Sequence, residues 1–175
     1  MNRFFAPTVL QACERTTGDN RLLAALTERW QFQIDPERVG ETLRWWDAAV
    51  TGGNWQSITT CSQTWSGQGL RYYKGLAWYR QTIGIPAEAK GKRVVLWIGA
   101  VDESARVWVN GKLIGTSPKG AFKPFELDAT EAVVPGQPNL VAACIANETL
   151  NELGTGGIMG PAFFYLPPQG REAAR

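Results

Sequence analysis

The sequence predicts an all-β protein, two packed antiparallel sheets in a sandwich or jelly roll, with one short N-terminal helix. Three observations carry that prediction. From Trp30 onward the chain is a succession of short runs of β-branched and aromatic residues separated by turn chemistry. The 175 residues include 19 Gly and 10 Pro, a supply of turn residues well above average. A hairpin with an Asn-Gly turn has apolar side chains on both of its faces, so it must be covered on both sides.

Asn20-Arg-Leu-Leu-Ala-Ala-Leu-Thr-Glu-Arg29 is rich in helix formers and predicts two turns of helix. Trp30-Gln-Phe-Gln-Ile34 alternates apolar and polar residues and stops at Asp35-Pro36, as a half-buried strand does. Leu76 to Ile83 reads as a strand ending before Pro86, and Arg93 to Ile98 as one ending at Gly99. In Ala105 to Ile114, Asn110-Gly111 is the favoured type I′ turn. It sets Val109 opposite Lys112, Trp108 opposite Leu113 and Val107 opposite Ile114. Leu140 to Ala146 follows Pro135-Gly-Gln-Pro138 and reads as a buried strand. Seven to nine strands are expected. The domain plan is an extension with the helix over 1–28, the sandwich over 29–166, and a tail over 167–175 that opens with Pro167-Pro168 and cannot continue a ladder.

Composition narrows the chemistry. The chain has no histidine, which excludes Ser-His-Asp and Cys-His catalysis and His-rich metal sites within it. With 18 basic against 16 acidic residues and no basic run, neither nucleic acid nor an anionic membrane is expected as a partner. Cys13, Cys61 and Cys144 form no CxxC pair, and Cys144 lies in an apolar run where a thiol behaves as a small hydrophobe. Leu10-Gln-Ala-Cys13 only faintly resembles a lipoprotein cleavage box, and the residues before it make a weak signal peptide.

Five pieces occur in one order: Gly75 to Arg80 ending at Pro86, Leu96 to Gly111, Pro124-Phe-Glu-Leu-Asp128, Pro135 to Asn139, and Thr155-Gly-Gly-Ile158. Together they resemble the sugar-binding, galactose-binding-like jelly roll of glycoside hydrolase family 2, the β-galactosidases, β-glucuronidases and β-mannosidases. The similar sandwich of sialate O-acetylesterases is a second relative, through Gly156-Gly-Ile-Met-Gly160. The resemblance implies a non-catalytic carbohydrate-binding module, because the family's catalytic carboxylates lie on a separate barrel. The alternative is a scaffold that docks a catalytic domain, of the glycosidase or the esterase type, without sugar affinity of its own. A third reading, a small hydrolase using Glu148 or Glu152, is the weakest, since a loop spacing sets no carboxylate separation. Whether the chain is an enzyme stays open, with the parent context that of a glycosidase. The resemblance favours an extracellular or periplasmic location and oligo- or polysaccharide ligands.

The family's pocket-edge loop corresponds here to Asn147-Glu-Thr-Leu-Asn-Glu-Leu-Gly154. Its Asn147, Glu148, Asn151 and Glu152 suit paired hydrogen bonds to vicinal hydroxyls. Where many relatives carry His-Asp-Trp, this chain has Gln63-Thr-Trp65. From the residues themselves, Trp55, Trp65, Tyr72 and Tyr73 sit among Gly, Ser, Thr and Gln and offer aromatic faces for a pyranose, with Arg71 and Lys74 flanking the tyrosines. Trp65 and Tyr73 could equally close the open end of the sandwich. Trp45-Trp46 is expected to pack on the sheet, and Trp78, Trp97 and Trp108, which lie within strands, to belong to the core or to a covered outer face. Asp102-Glu103 is expected to bind backbone amides in its turn. No cofactor is called for; a structural calcium stays open, without any EF-hand-like Asp spacing behind it.

Overall fold

The computed structural model describes residues 18–118, 122–149 and 155–168. Two antiparallel sheets face each other. The strands are β1 (Arg21–Ala25), β2 (Arg29–Asp35), β3 (Gln56–Thr59), β4 (Gly75–Gly84), β5 (Val95–Ile98), β6 (Ser104–Val109), β7 (Lys112–Thr116), β8 (Phe125–Asp128), β9 (Pro138–Asn147) and β10 (Ala162–Leu166). One sheet has the order β1-β10-β5-β8 and the other β3-β2-β4-β9-β6-β7. The predicted sandwich is thus the observed one. Among the described residues the only helical turns are short 3-10 pieces at Ser66–Gln68 and Ala87–Ala89.

The predicted N-terminal helix is corrected: Arg21–Ala25 is an edge strand, with Arg21 opposite Leu166 and Ala25 opposite Phe163. Arg-Leu-Leu-Ala-Ala favours helix only by fractions of a kcal/mol per residue. A two-turn helix is also marginal by itself, whereas the free edge of β10 offers a full ladder. The tail beyond Pro168, Cys13 and the cleavage-box reading lie outside the described residues.

The Asn-Gly hairpin follows the expected register at Val109–Lys112 and Trp108–Leu113, but Val107 faces Gly115 rather than Ile114. One extra residue in β7 makes a bulge there. Gly115 meets the requirement of that bulge: its φ is +155°, and a Cβ would stand 2.6 Å from Leu127 of the facing sheet.

Inward-facing residues of both sheets, among them Phe32, Tyr79, Leu96, Val107, Ile145 and Phe164, make one continuous core. The centre of the outer face of the six-stranded sheet is dry as well, although Leu113 opposite Trp108 stays half exposed. Trp78 and Trp108 stand there, covered by Trp45 and Trp46 from the segment between β2 and β3, as expected of that Trp pair. Cys144 is buried in the same cluster, and burial pushes its thiol up to about 11, so it is inert at neutral pH.

The longest pairing, β4 with β9, runs from Gly84 opposite Pro138 to Gly75 opposite Asn147. Asp35 at the end of β2 lies opposite Leu76, and Ser104 at the start of β6 opposite Ala146. All four central strands therefore stop together, and the loops carrying most of the candidate residues leave from this one end.

Candidate functional site

Asp35 organises the rim. It is 1% exposed, and its carboxylate accepts hydrogen bonds from the Val39 amide (2.8 Å), the Gly40 amide (2.9 Å) and the Trp78 indole Nε1 (2.9 Å). The turn that follows β2 is thereby closed onto the end of the sheet. Its outer residue Arg38 donates to Glu148 of the loop after β9. Glu148 in turn holds the Arg38 guanidinium above its ordinary pKa, by hydrogen bond and by charge. The pair is exposed, so it orients the loop more than it stabilises the fold.

A second grip comes from Glu103. Its two carboxylate oxygens accept the backbone amides of Glu148 (2.7 Å) and Thr149 (2.6 Å). Glu103 does bind amides, as expected, but those of the loop after β9 rather than of its own turn. The neighbouring Asp102 accepts the Thr155 hydroxyl at 2.6 Å, just ahead of Gly156 and Gly157.

Of the sequence-predicted residues, Tyr72 is 75% exposed, with the Arg71 guanidinium 5.6 Å from its ring centroid. Tyr73 is half-buried and its hydroxyl donates to Leu76 O (2.6 Å) while accepting the Asp35 amide (3.2 Å), a bridge across the β2–β4 end. Desolvation raises its pKa above the usual phenol value, so it stays a donor at neutral pH. Asn147 is 4% exposed and its Oδ1 has no hydrogen-bond partner among the described residues. Glu148 is exposed, as above. Asn151 and Glu152 lie outside the described residues.

Trp65 is placed differently. It is 1% exposed, its Nε1 donates to the Tyr79 hydroxyl at 2.6 Å, and it packs against Phe32 and Tyr73. The aromatic face expected of it is used inside the sandwich, closing its open end. Gly156 and Gly157 explain why that segment reads Gly-Gly: a Cβ on Gly156 would meet Trp65 Cε3 at 2.5 Å, and one on Gly157 the Tyr79 hydroxyl at 2.1 Å, with φ +85°. Gly157→Ala is expected to cost about 2–4 kcal/mol, through left-handed strain plus overpacking, read as a lower midpoint in denaturant.

Arg38 was not singled out by sequence reasoning, since its partner lies 110 residues away and no local pattern marks it. The rim so built offers an exposed aromatic ring, cations at Arg71 and Lys74, and a carboxylate held by Arg38. Such groups can stack on a sugar ring and bind its hydroxyls or acidic substituents. Among the described residues no group of three or more Cys, Asp or Glu is gathered for a metal ion, and no helix is long and apolar enough to cross a membrane.

The family model "Glycosyl hydrolases family 2, sugar binding domain" matches residues 23–152. A β-glucuronidase of Paenibacillus borealis is 34% identical over 138 residues, which are 75% of this chain and 22% of that protein. The human β-glucuronidase is 35% identical over 99 residues, 54% of this chain and 15% of that one. Among solved structures, a β-glucuronidase from Ruminococcus gnavus in complex with C6-substituted uronic isofagomine superposes with a TM-score of 0.76 at 23% identity. That alignment covers 87% of this chain and 30% of the other and shows the shared fold. The chain thus spans about a fifth of the length of the Paenibacillus relative.

Proposed function

From the premise that the chain belongs to the sugar-binding domain family of glycosyl hydrolases family 2, we propose that it is a non-catalytic carbohydrate-recognition module whose site is the loop rim at Asp35, Tyr72 and Glu148. The observation that carries this reading is the double grip on the loop after β9. Arg38 holds the Glu148 side chain and Glu103 its amide, so a carboxylate is presented at a set position, at the same end of the sheet as the segment that leads from the exposed Tyr72 into β4. Preorganisation of that kind lowers the ordering cost of binding a flexible polyol. The names of the relatives put β-glucuronides first among ligands to try, and Arg71 and Lys74 suit the carboxylate of a uronic acid.

Affinity for glucuronides and neutral oligosaccharides is measured by calorimetry on the 175-residue chain. Tyr72→Ala is expected to weaken binding about tenfold or more, with an unchanged unfolding midpoint, because the ring is exposed and supports no core. Equal affinity in wild type and variant would remove Tyr72 from the site.

A second reading is favoured by one observation. Residues Val39 and Leu43 of the rim are 38% and 52% exposed, and the relatives are several times longer than this chain. In that reading the rim packs on a catalytic domain of the parent protein and the chain alone binds nothing.

A further inference from the structure

We infer that the cavity of about 440 Å³ at the β2–β3 edge of the six-stranded sheet is a second saccharide subsite, one that takes an uncharged sugar. The inference rests on the carbohydrate-recognition reading above and extends it. β3 pairs with β2 only from Arg29 to Phe32, so Gln33 to Asp35 run on without a β3 neighbour. The space left there is lined by Pro36, Asn54, Gln68 and Leu70 among others. Its wall is fixed, because the Gln68 side-chain amide accepts the Thr59 amide (2.8 Å) and donates to the Thr59 carbonyl (2.7 Å).

The chemistry of the lining selects the ligand. No Asp, Glu, Lys or Arg lines the cavity; beside Gln68, whose amide is taken up by Thr59, its polar groups are the amides of Gln33, Asn54 and Gln56 and the Ser57 hydroxyl, set against the apolar Ile34, Pro36 and Leu70. Amides and hydroxyls both donate and accept, as sugar hydroxyls do, and the aliphatic groups fit the C–H face of a pyranose. A carboxylate or phosphate would be desolvated here with no opposite charge. A purely apolar ligand would leave the amides unpaired. The free stretch of β2 is three residues long, too short for the main-chain ladder on which an added peptide strand depends. The volume lies in the range of small-molecule sites.

The test is a titration of the isotope-labelled chain with cellobiose, maltose and lactose, and separately with glucuronic acid, followed by NMR. At least one neutral disaccharide should shift the side-chain amides of Gln33, Asn54 and Gln56. Gln56→Trp, an exposed edge-strand substitution that adds bulk to the cavity lining, should weaken that binding at least tenfold while the glucuronic acid response near Tyr72 persists. Gln56→Ala, which cannot block the space, should weaken it less. If the sugars shift only residues near Tyr72 and Glu148, or if Gln56→Trp leaves the neutral affinity unchanged, the subsite is refuted and the rim reading stands. If no sugar shifts any amide, the subsite and the recognition reading fall together.

Discussion

Trp65→Ala is expected to lower the unfolding free energy by about 3–5 kcal/mol, the range for emptying a large aromatic from a core. The indole is fully enclosed: Phe32 and Tyr73 pack on it, the Tyr79 hydroxyl accepts its N–H, and the backbone of Gly156 and Gly157 lies against the ring. Removing it leaves a cavity and takes one donor from the buried Tyr79 hydroxyl, which keeps only its bond to the Ile158 backbone. Trp65→Phe should recover part of the loss by filling the space, though not the hydrogen bond. Denaturant unfolding of the three proteins checks this directly. A change below about 1 kcal/mol in Trp65→Ala would mean that the ring faces solvent after all, where it could act on a ligand.

Asp35→Asn is the second large effect, about 2–4 kcal/mol, although the two side chains have nearly the same shape. All three groups that meet the carboxylate are donors: the amides of Val39 and Gly40 and the indole of Trp78. An asparagine must turn its NH₂ toward at least one of them, leaving buried donors face to face. The damage extends beyond stability. The turn that Asp35 closes carries Arg38, and through it the position of Glu148. Sugar affinity should therefore fall together with stability in Asp35→Asn, whereas in Tyr72→Ala affinity falls alone. Parallel unfolding and calorimetric measurements separate the two patterns.

The hairpin and the long strands were legible because their signals are local: an Asn-Gly turn, a Pro-Gly break, a period of two. β1 was not, since Arg21–Ala25 is written in helix formers and becomes a strand only by meeting β10, some 140 residues further on. The need for glycine at the bulge was equally hidden, since a side chain at 115 would collide with Leu127 on the facing sheet. At the rim, Tyr72 and Glu148 could be picked out by composition and by the family resemblance. The residues that hold Glu148 could not, because Glu103 is 45 positions away and Arg38 is 110. Trp65 was ambiguous for a physical reason as well. A tryptophan among Gly, Ser and Gln looks like loop surface, and only the two glycines packed on it reveal that it is core.

The most direct measurement is a glycan-array screen of the 175-residue chain, with affinity electrophoresis on any oligo- or polysaccharide retained. Specific retention, abolished or strongly reduced in Tyr72→Ala while that variant stays folded, is the expected result. A well-folded chain that retains no glycan would contradict independent carbohydrate recognition and leave the rim as a docking surface for a catalytic domain.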